Sequence, residues 1–323
     1  MARSPHPALS RRGFCLCCVG AAGLAATGGW LTPRQAFAEA RGLVTLIKDA
    51  AATTPITTHR VRDDLCLLEG SGGNIAVLTG PDGKALVDGG IAVSRPQLTR
   101  ALAALGADPI THLINTHWHF DHTDGNAWLH AAGARIIAQE NTRKHLAHIQ
   151  RVEDWDYNFL PSPDGALPSA VFSRDHRLKL NGTTLDMTYL GPAHTDSDIS
   201  VLFAEADVLH AGDTYWNGIY PFIDRSTGGS IGGMIAACDR VLRVASSQTV
   251  IVPGHGAPVS NKAELQAFRD MLVGVRQQVA TLKRQGRSLA ETVAARPTAA
   301  YDAKWGQFVI DGAFFTRLVY PDA

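Results

Sequence analysis

Three histidines and one aspartate lie within six residues of one another in the first half of the chain. The segment reads Thr116-His117-Trp118-His119-Phe120-Asp121-His122 and follows an apolar run, residues 111–115, that predicts a buried strand. A loop at the end of a strand lets alternate side chains converge on one point, so His117 and His119 can hold one ion while Asp121 and His122 face a neighbouring position. Imidazole and carboxylate ligands favour zinc, with iron or manganese as alternatives.

Three further candidate ligands lie in later turns. Each follows a strand-like run and stands beside Gly or Pro, which permit the tight turn that presents a side chain. They are His194 in Gly191-Pro192-Ala193-His194, Asp213 in Ala211-Gly212-Asp213 and His255 in Pro253-Gly254-His255. His210 either supports Asp213 or is a buried strand histidine. Most of the remaining histidines, out of 13 in all, have no motif around them.

The order, spacing and flanking residues of these motifs resemble those of the metallo-β-lactamase superfamily, over residues 65 to 260. This superfamily includes class B β-lactamases, glyoxalase II, lactonases and arylsulfatases. The resemblance implies two zinc ions, the first on His117, His119 and His194 and the second on Asp121, His122 and His255, with Asp213 bridging them. It also implies a hydrolase in which a hydroxide between the ions attacks an ester, lactone, thioester or amide bond of a small substrate. Asp121 would move the proton, and no cofactor beyond the metals is implied.

Two other hypotheses about the enzymatic activity remain open at this point. Class B β-lactamases carry Cys or Ser where this chain has Asp213, which favours a glyoxalase II or lactonase type of enzyme. His122, however, resembles one β-lactamase subclass, so activity on β-lactams is one alternative. A sulfur dioxygenase with a single iron shares this fold and most of the ligands, and is the other. A metal-binding module without turnover is disfavoured, because a pure binding site needs no proton shuttle.

The stretch that begins at Asp213 supplies candidate substrate contacts. Its first residues must rim the site, so Tyr215, Trp216 and Tyr220 are candidates for an apolar wall and Asn217 for a polar contact. The competing interpretation is that these aromatic side chains pack the loop against the surrounding helices.

The elements around the motifs predict an α+β fold. Strands followed by helices occur twice, which is typical of two sheets packed face to face with helices outside, an αββα four-layer sandwich. Strands are predicted at residues 65–69, 74–79, 85–88, 111–115, 177–180, 183–189, 199–203, 208–211 and 250–252. Helices are predicted at residues 96–105, 234–244, 263–284, 289–295 and 313–319, and near Asp124 and Glu140. Residues 59–323 are interpreted as one hydrolase domain, and residues 39–58 as an irregular lead-in.

The first 38 residues have the pattern of an export signal. Ser10-Arg11-Arg12-Gly13-Phe14 is a twin-arginine motif, an apolar run follows over residues 14–31, and Ala36-Phe37-Ala38 is a small-x-small cleavage site. We therefore expect export to the periplasm or cell envelope, with no stable membrane insertion after cleavage; an uncleaved anchor is the alternative. Removal of the signal leaves Cys66 and Cys238, which either pair or remain as two buried thiols.

The charge balance points away from polyanionic partners. The 323 residues carry 30 basic and 30 acidic side chains, a formal net charge of +0. Nothing in this balance indicates a nucleic-acid surface, so the expected partner is a small-molecule substrate. The oligomeric state is left open.

Overall fold

The computed structural model describes residue 42 and residues 44–323. The predicted export signal, residues 1–38, lies outside the described residues. Within the described part, none of the helices is both long enough and apolar enough to cross a membrane.

Most of the strands belong to two sheets. In chain order they are Thr57–Arg60 (β1), Leu65–Glu69 (β2), Ile75–Leu78 (β3), Lys84–Val87 (β4), Ile110–Asn115 (β5), Arg135–Gln139 (β6), Gln150–Val152 (β7), Tyr157–Phe159 (β8), Ala170–Phe172 (β9), Asp175–Leu180 (β10), Thr183–Tyr189 (β11), Ile199–Phe203 (β12), Val208–His210 (β13), Trp216–Asn217 (β14), Val250–Val252 (β15) and His255–Gly256 (β16). The larger sheet has the order β1-β2-β3-β4-β5-β6-β9, and the second has the order β10-β11-β12-β13-β15. Strands β7 and β8 form a separate hairpin, and β14 pairs with β16.

Each large sheet changes from antiparallel to parallel pairing at the point where candidate ligands follow. Strands β4 and β5 are parallel, as are β13 and β15. The carboxyl ends of parallel neighbours meet at one edge of a sheet, so the segments after β4 and β5 emerge together, and so do those after β13 and β15. The metal motif follows β5, Asp213 follows β13 and His255 follows β15.

Helices cover both outer faces of the paired sheets. They are Arg95–Ala104, Phe120–Thr123, Asn126–Ala131, Glu140–Leu146, Ile231–Val244, Lys262–Arg284, Leu289–Ala294, Ala299–Trp305 and Gly312–Val319, with one more over residues 44–51. The core between the sheets joins side chains such as Ile114 of the first sheet to Val201 of the second. Leu98 packs on the outer face of the first sheet and Met234 on that of the second. These four layers confirm the predicted αββα sandwich.

The predicted irregular lead-in, residues 39–58, is wrong over residues 44–51, which form a helix. Val44 and Ala51 are fully buried in the apolar cluster that also contains Met234 and Phe268, here called the helix-lined core, and Ile47 packs against it. These three positions share one helical face, and that amphipathic spacing explains why the segment is ordered. Strand β1 also begins inside the predicted lead-in, at Thr57.

The two cysteines of the described chain do not pair. Cys66 and Cys238 are both free and buried. Burial raises the pKa of each thiol, which keeps both in the neutral form at physiological pH.

Candidate metal centre

All seven predicted ligands converge at one edge of the sandwich. They form two groups, within each of which the ligand atoms lie no more than 4.8 Å from one another. The first group is His117, His119, His194 and Asp213; the second is Asp121, His122 and His255. This division matches the two sets of ligands that the sequence motifs imply.

The first group is enclosed by protein. His194 Nε2 lies 2.9 Å from His119 Nδ1 and 3.4 Å from Asp213 Oδ2. His117 Nε2 lies 3.9 Å from the same carboxylate oxygen. All four side chains are at most 2% exposed, so this part of the centre faces the interior.

The second group forms the open side of the centre. His255 Nε2 lies 3.1 Å from Asp121 Oδ2 and 3.2 Å from Asp213 Oδ2, and His122 Nε2 lies 3.1 Å from Asp213 Oδ1. The side chains of Asp121 and His255 are 11% and 12% exposed, whereas that of His122 is fully buried. The carboxylate of Asp213 therefore contacts both groups, and Asp121 and His255 are the ligands with the most exposed side chains.

Four of the five imidazoles have a hydrogen bond on the side that faces away from the cluster. In each, the ring nitrogen that faces away from the cluster has a hydrogen-bond partner, which leaves the other nitrogen directed into the cluster. The pairs are His117 Nδ1 with Thr116 Oγ1 at 3.0 Å, His119 Nε2 with Asp224 Oδ2 at 3.0 Å, His122 Nδ1 with Asp88 Oδ2 at 2.7 Å, and His194 Nδ1 with the Phe222 carbonyl at 2.8 Å.

Two of these supporting residues are buried carboxylates that the predicted site did not include. Asp88 is fully buried and accepts hydrogen bonds from the Thr116 amide and hydroxyl as well as from His122. Asp224 is fully buried and accepts from Thr227 Oγ1 as well as from His119. The sequence carries a weak signal for both: Asp88 ends an apolar strand directly before two glycines, and Asp224 closes the loop that begins at Asp213.

Two glycines allow the backbone to approach the cluster closely. A Cβ atom at Gly73 would fall 2.2 Å from His122 Cε1, and one at Gly254 would fall 1.9 Å from Asp213 Oδ1. Neither distance is compatible with a side chain, so both positions require glycine while the ligand side chains keep these places.

Proton-bearing imidazoles balance the carboxylates of the cluster. Burial opposes ionisation of Asp121, but His122 and His255 outweigh it and lower the pKa of Asp121 to about 2. Burial would likewise lower the pKa of His255, but Asp213 and Asp121 raise it to about 9. Burial opposes a charge on His122 as well, yet Asp213 and the other carboxylates raise its pKa well above the ordinary value. Bound metal ions would replace these protons as the positive charges that balance the carboxylates, because imidazole must lose its proton to become a ligand.

One buried atom shows directly that the residues fit a metal ion. His117 Nε2 is buried and has no hydrogen-bond partner among the described residues. A buried polar atom without a partner is rare in folded proteins, and this one faces the carboxylate of Asp213. A cation at this point satisfies both groups, and three nitrogens with one oxygen is a donor set that zinc accepts.

The structure places two of the predicted substrate contacts, Tyr215 and Tyr220, in the core. The hydroxyl of Tyr215 is 2.7 Å from Ser260 Oγ, and its ring packs against Phe268. Tyr220 donates to Asp302 Oδ1 at 3.0 Å and stacks on Phe315. Both tyrosines are fully buried in the helix-lined core, as the competing interpretation, that the aromatics pack the loop, expects.

The other two predicted contacts do lie near the cluster. The ring of Trp216 is centred 4.2 Å from that of His255, and the side chain is buried. Asn217 is half-buried, and its amide donates to the Ala257 carbonyl at 3.2 Å, which ties the loop to the segment after β16.

Replacement of His122 should empty the second group before the first. His122→Ala removes one nitrogen ligand from the open side, whereas His117, His119 and His194 remain in place. We expect zinc content, followed during stepwise chelation, to show one ion lost early and one retained as in the parent. Equal loss of both ions would contradict the division into two groups.

Comparison with known proteins defines the family. Residues 68–274 match the family model of the metallo-beta-lactamase superfamily, which is more than half of the chain. The chain therefore belongs to the metallo-β-lactamase superfamily.

Two relatives of this chain carry the name hydroxyacylglutathione hydrolase. The chain is 31% identical over 172 residues to hydroxyacylglutathione hydrolase of Rhodospirillum rubrum, covering 52% of this chain and 57% of that protein. It is 29% identical over 160 residues to the protein of the same name from a Polaromonas species, covering 49% and 52%. The chain thus spans little more than half the length of these relatives.

Solved structures share the fold. A metallo-beta-lactamase from Pontibacter korlensis has a TM-score of 0.55 at 18% identity, covering 68% of this chain and 99% of that one. The inverting sec-alkylsulfatase Pisa1 from a Pseudomonas species has a TM-score of 0.57 at 17% identity, covering 82% and 50%. At such identities the likeness concerns the fold alone.

Proposed function

We propose that the protein is a dinuclear zinc hydrolase that cleaves an acyl bond of a small substrate, with a thioester as the first candidate. The observation that carries this proposal is the carboxylate of Asp213, which contacts both ligand groups. A shared carboxylate between two sets of nitrogen ligands is the arrangement that holds two ions side by side.

The chemistry divides between the ions and the chain. Two divalent ions, held by the two ligand groups, would supply a water molecule of lowered pKa and would polarise the bond that is attacked. Asp121 lies on the open side of the centre, where its carboxylate would face the attacking water and the departing group. We assign to it the transfer of the proton from the first to the second, in addition to its contact with His255.

The choice of a thioester rests on two kinds of support. Hydroxyacylglutathione hydrolases, by their name, act on an acyl group carried by the sulfur of glutathione, and they are relatives of this chain. Asp213 occupies the position at which class B β-lactamases carry Cys or Ser, so the ligand set favours this type over a dedicated β-lactamase. Lactones, esters and amides present the same electrophilic carbonyl and remain in the proposed range.

A hydrolysis screen tests the proposal. The zinc-loaded protein is assayed on acyl thioesters, lactones, aryl esters and a chromogenic cephalosporin, with chelated and zinc-restored samples as matched controls. We expect thioester cleavage that disappears on chelation and returns with zinc. If zinc-loaded protein is inactive on every acyl substrate but an iron-loaded sample consumes oxygen with a persulfide, the hydrolase assignment is wrong.

A further inference from the structure

The five imidazoles of the cluster are not held alike. His117, His119, His122 and His194 each have a protein partner on the outward ring nitrogen. The polar contacts of His255 all run through Nε2, toward His122, Asp121 and Asp213, and its Nδ1 has no hydrogen bond among the described residues. A ligand histidine almost always has such a partner, and no protein group among the described residues supplies one here, so packing is the protein's means of orienting this ring.

The indole of Trp216 packs against the imidazole of His255. Its ring is centred 4.2 Å from the imidazole of His255 and is tilted by 40° from it, which is direct contact between ring faces. Trp216 is 6% exposed and belongs to the helix-lined core, so the indole is itself held by packing. His255, by contrast, lies on the open side of the centre, and its side chain is 12% exposed.

The backbone fixes this contact in register. Strands β14 and β16 are parallel, and Trp216 stands opposite His255. Gly256 has φ +86°, and a Cβ atom there would fall 2.0 Å from the Asn217 carbonyl oxygen, so the two segments can approach this closely only with glycine. The Asn217 side chain adds a further tie to Ala257.

We infer that Trp216 is a positioning residue for His255, and that its indole face sets how tightly the second ion is held. The inference rests on the proposed function, since it needs the two ligand groups to bind metal. The indole is centred 4.2 Å from the ring of His255 but 6.3 Å from that of His194, so its removal should affect the second ion more than the first. It is distinct from a substrate contact, because its effect is visible in the absence of substrate.

The test compares two replacements of Trp216. Trp216→Leu keeps a buried apolar side chain but removes the aromatic face. Trp216→Phe keeps an aromatic face and loses one ring of the indole with its N–H, which is buried without a partner among the described residues. We expect the affinity for the second zinc, from chelator competition, to fall about 10–100-fold in Trp216→Leu and to stay near the parental value in Trp216→Phe. The cobalt-loaded proteins should show the same order in the visible band of the second site.

Trp305→Leu is the matched control. Trp305 is buried in the same core and packs on Phe268, but has no ring contact with the ligand histidines. It should lower thermal stability and leave both ions bound as in the parent. Parental affinity for the second ion in Trp216→Leu, or equal loss of both ions, overturns the inference alone. A parent chain that binds no metal overturns the proposed function and this inference with it.

Discussion

Asp121→Asn, saturated with zinc and shown to hold two ions, is expected to lose on the order of a hundredfold or more in kcat. The replacement keeps the size of the side chain and one ligating oxygen but removes the charge and the base. Excess zinc offsets a modest loss of metal affinity, so what remains is the missing proton transfer. KM should change less than kcat, because the amide fills the same space. Steady-state kinetics on the substrate found in the screen measure both.

Asp196→Asn is the matched control for this experiment. Asp196 is a carboxylate in the turn after His194, and it pairs with His145 Nε2 at 2.6 Å rather than with the cluster. The same change of charge there should cost far less in kcat. Near-parental turnover in zinc-saturated Asp121→Asn would mean that Asp121 is a ligand only and that the proton travels by another path.

Asp88→Ala is expected to lower both stability and metal affinity, although Asp88 is not a ligand. Three donors lose their acceptor in a fully buried place: the Thr116 amide, the Thr116 hydroxyl and His122 Nδ1. The free energy of unfolding should fall by about 3 kcal/mol, since each unsatisfied buried donor costs roughly 1–3 kcal/mol. The second zinc should bind about 10–100-fold more weakly, because His122 loses the contact that orients it. Urea unfolding and chelator competition measure the two effects.

Asp88→Asn distinguishes the effect of losing the charge from the effect of the backbone conformation. Asp88 has φ +70°, a conformation that Asn tolerates and Ala does not, and the Asn carbonyl can still accept one of the three hydrogen bonds. We expect this variant to recover part of the stability but not the affinity for the second ion. Parental affinity in both variants would show that Asp88 supports the fold and not the metal centre.

The candidate ligands were accessible from the sequence because each stands in a recognisable local pattern. His117, His119, Asp121 and His122 lie in one segment after a strand, and Asp213 and His255 stand beside Gly or Pro in turns. Such patterns depend on neighbours along the chain, and the strands that carry them, such as β5 and β15, were predicted within one residue of their bounds.

What the sequence did not reveal depends on contacts between distant segments. Asp88 and Asp224 reach the cluster across 34 and 105 positions of the chain, and the local pattern around each gives only a weak signal. Tyr215 and Tyr220 belong to the loop that begins at Asp213, but their hydroxyls bind Ser260 and Asp302, which lie much later in the chain. Only the tertiary structure brings these residues together. Strand β6 was not predicted from the sequence. Both of its faces are buried, so its residues lack the alternation of polar and apolar side chains that marks a strand covered on one face.

The metal content of the purified chain tests the central claim most directly, namely that one carboxylate, Asp213, joins two ion sites. The chain is loaded with excess zinc, freed of unbound metal by gel filtration and analysed by mass spectrometry of the elements, beside His122→Ala treated in the same way. We predict close to two zinc ions per parent chain and close to one in the variant. A single ion per parent chain, zinc or iron, with no change in His122→Ala, would contradict the dinuclear centre.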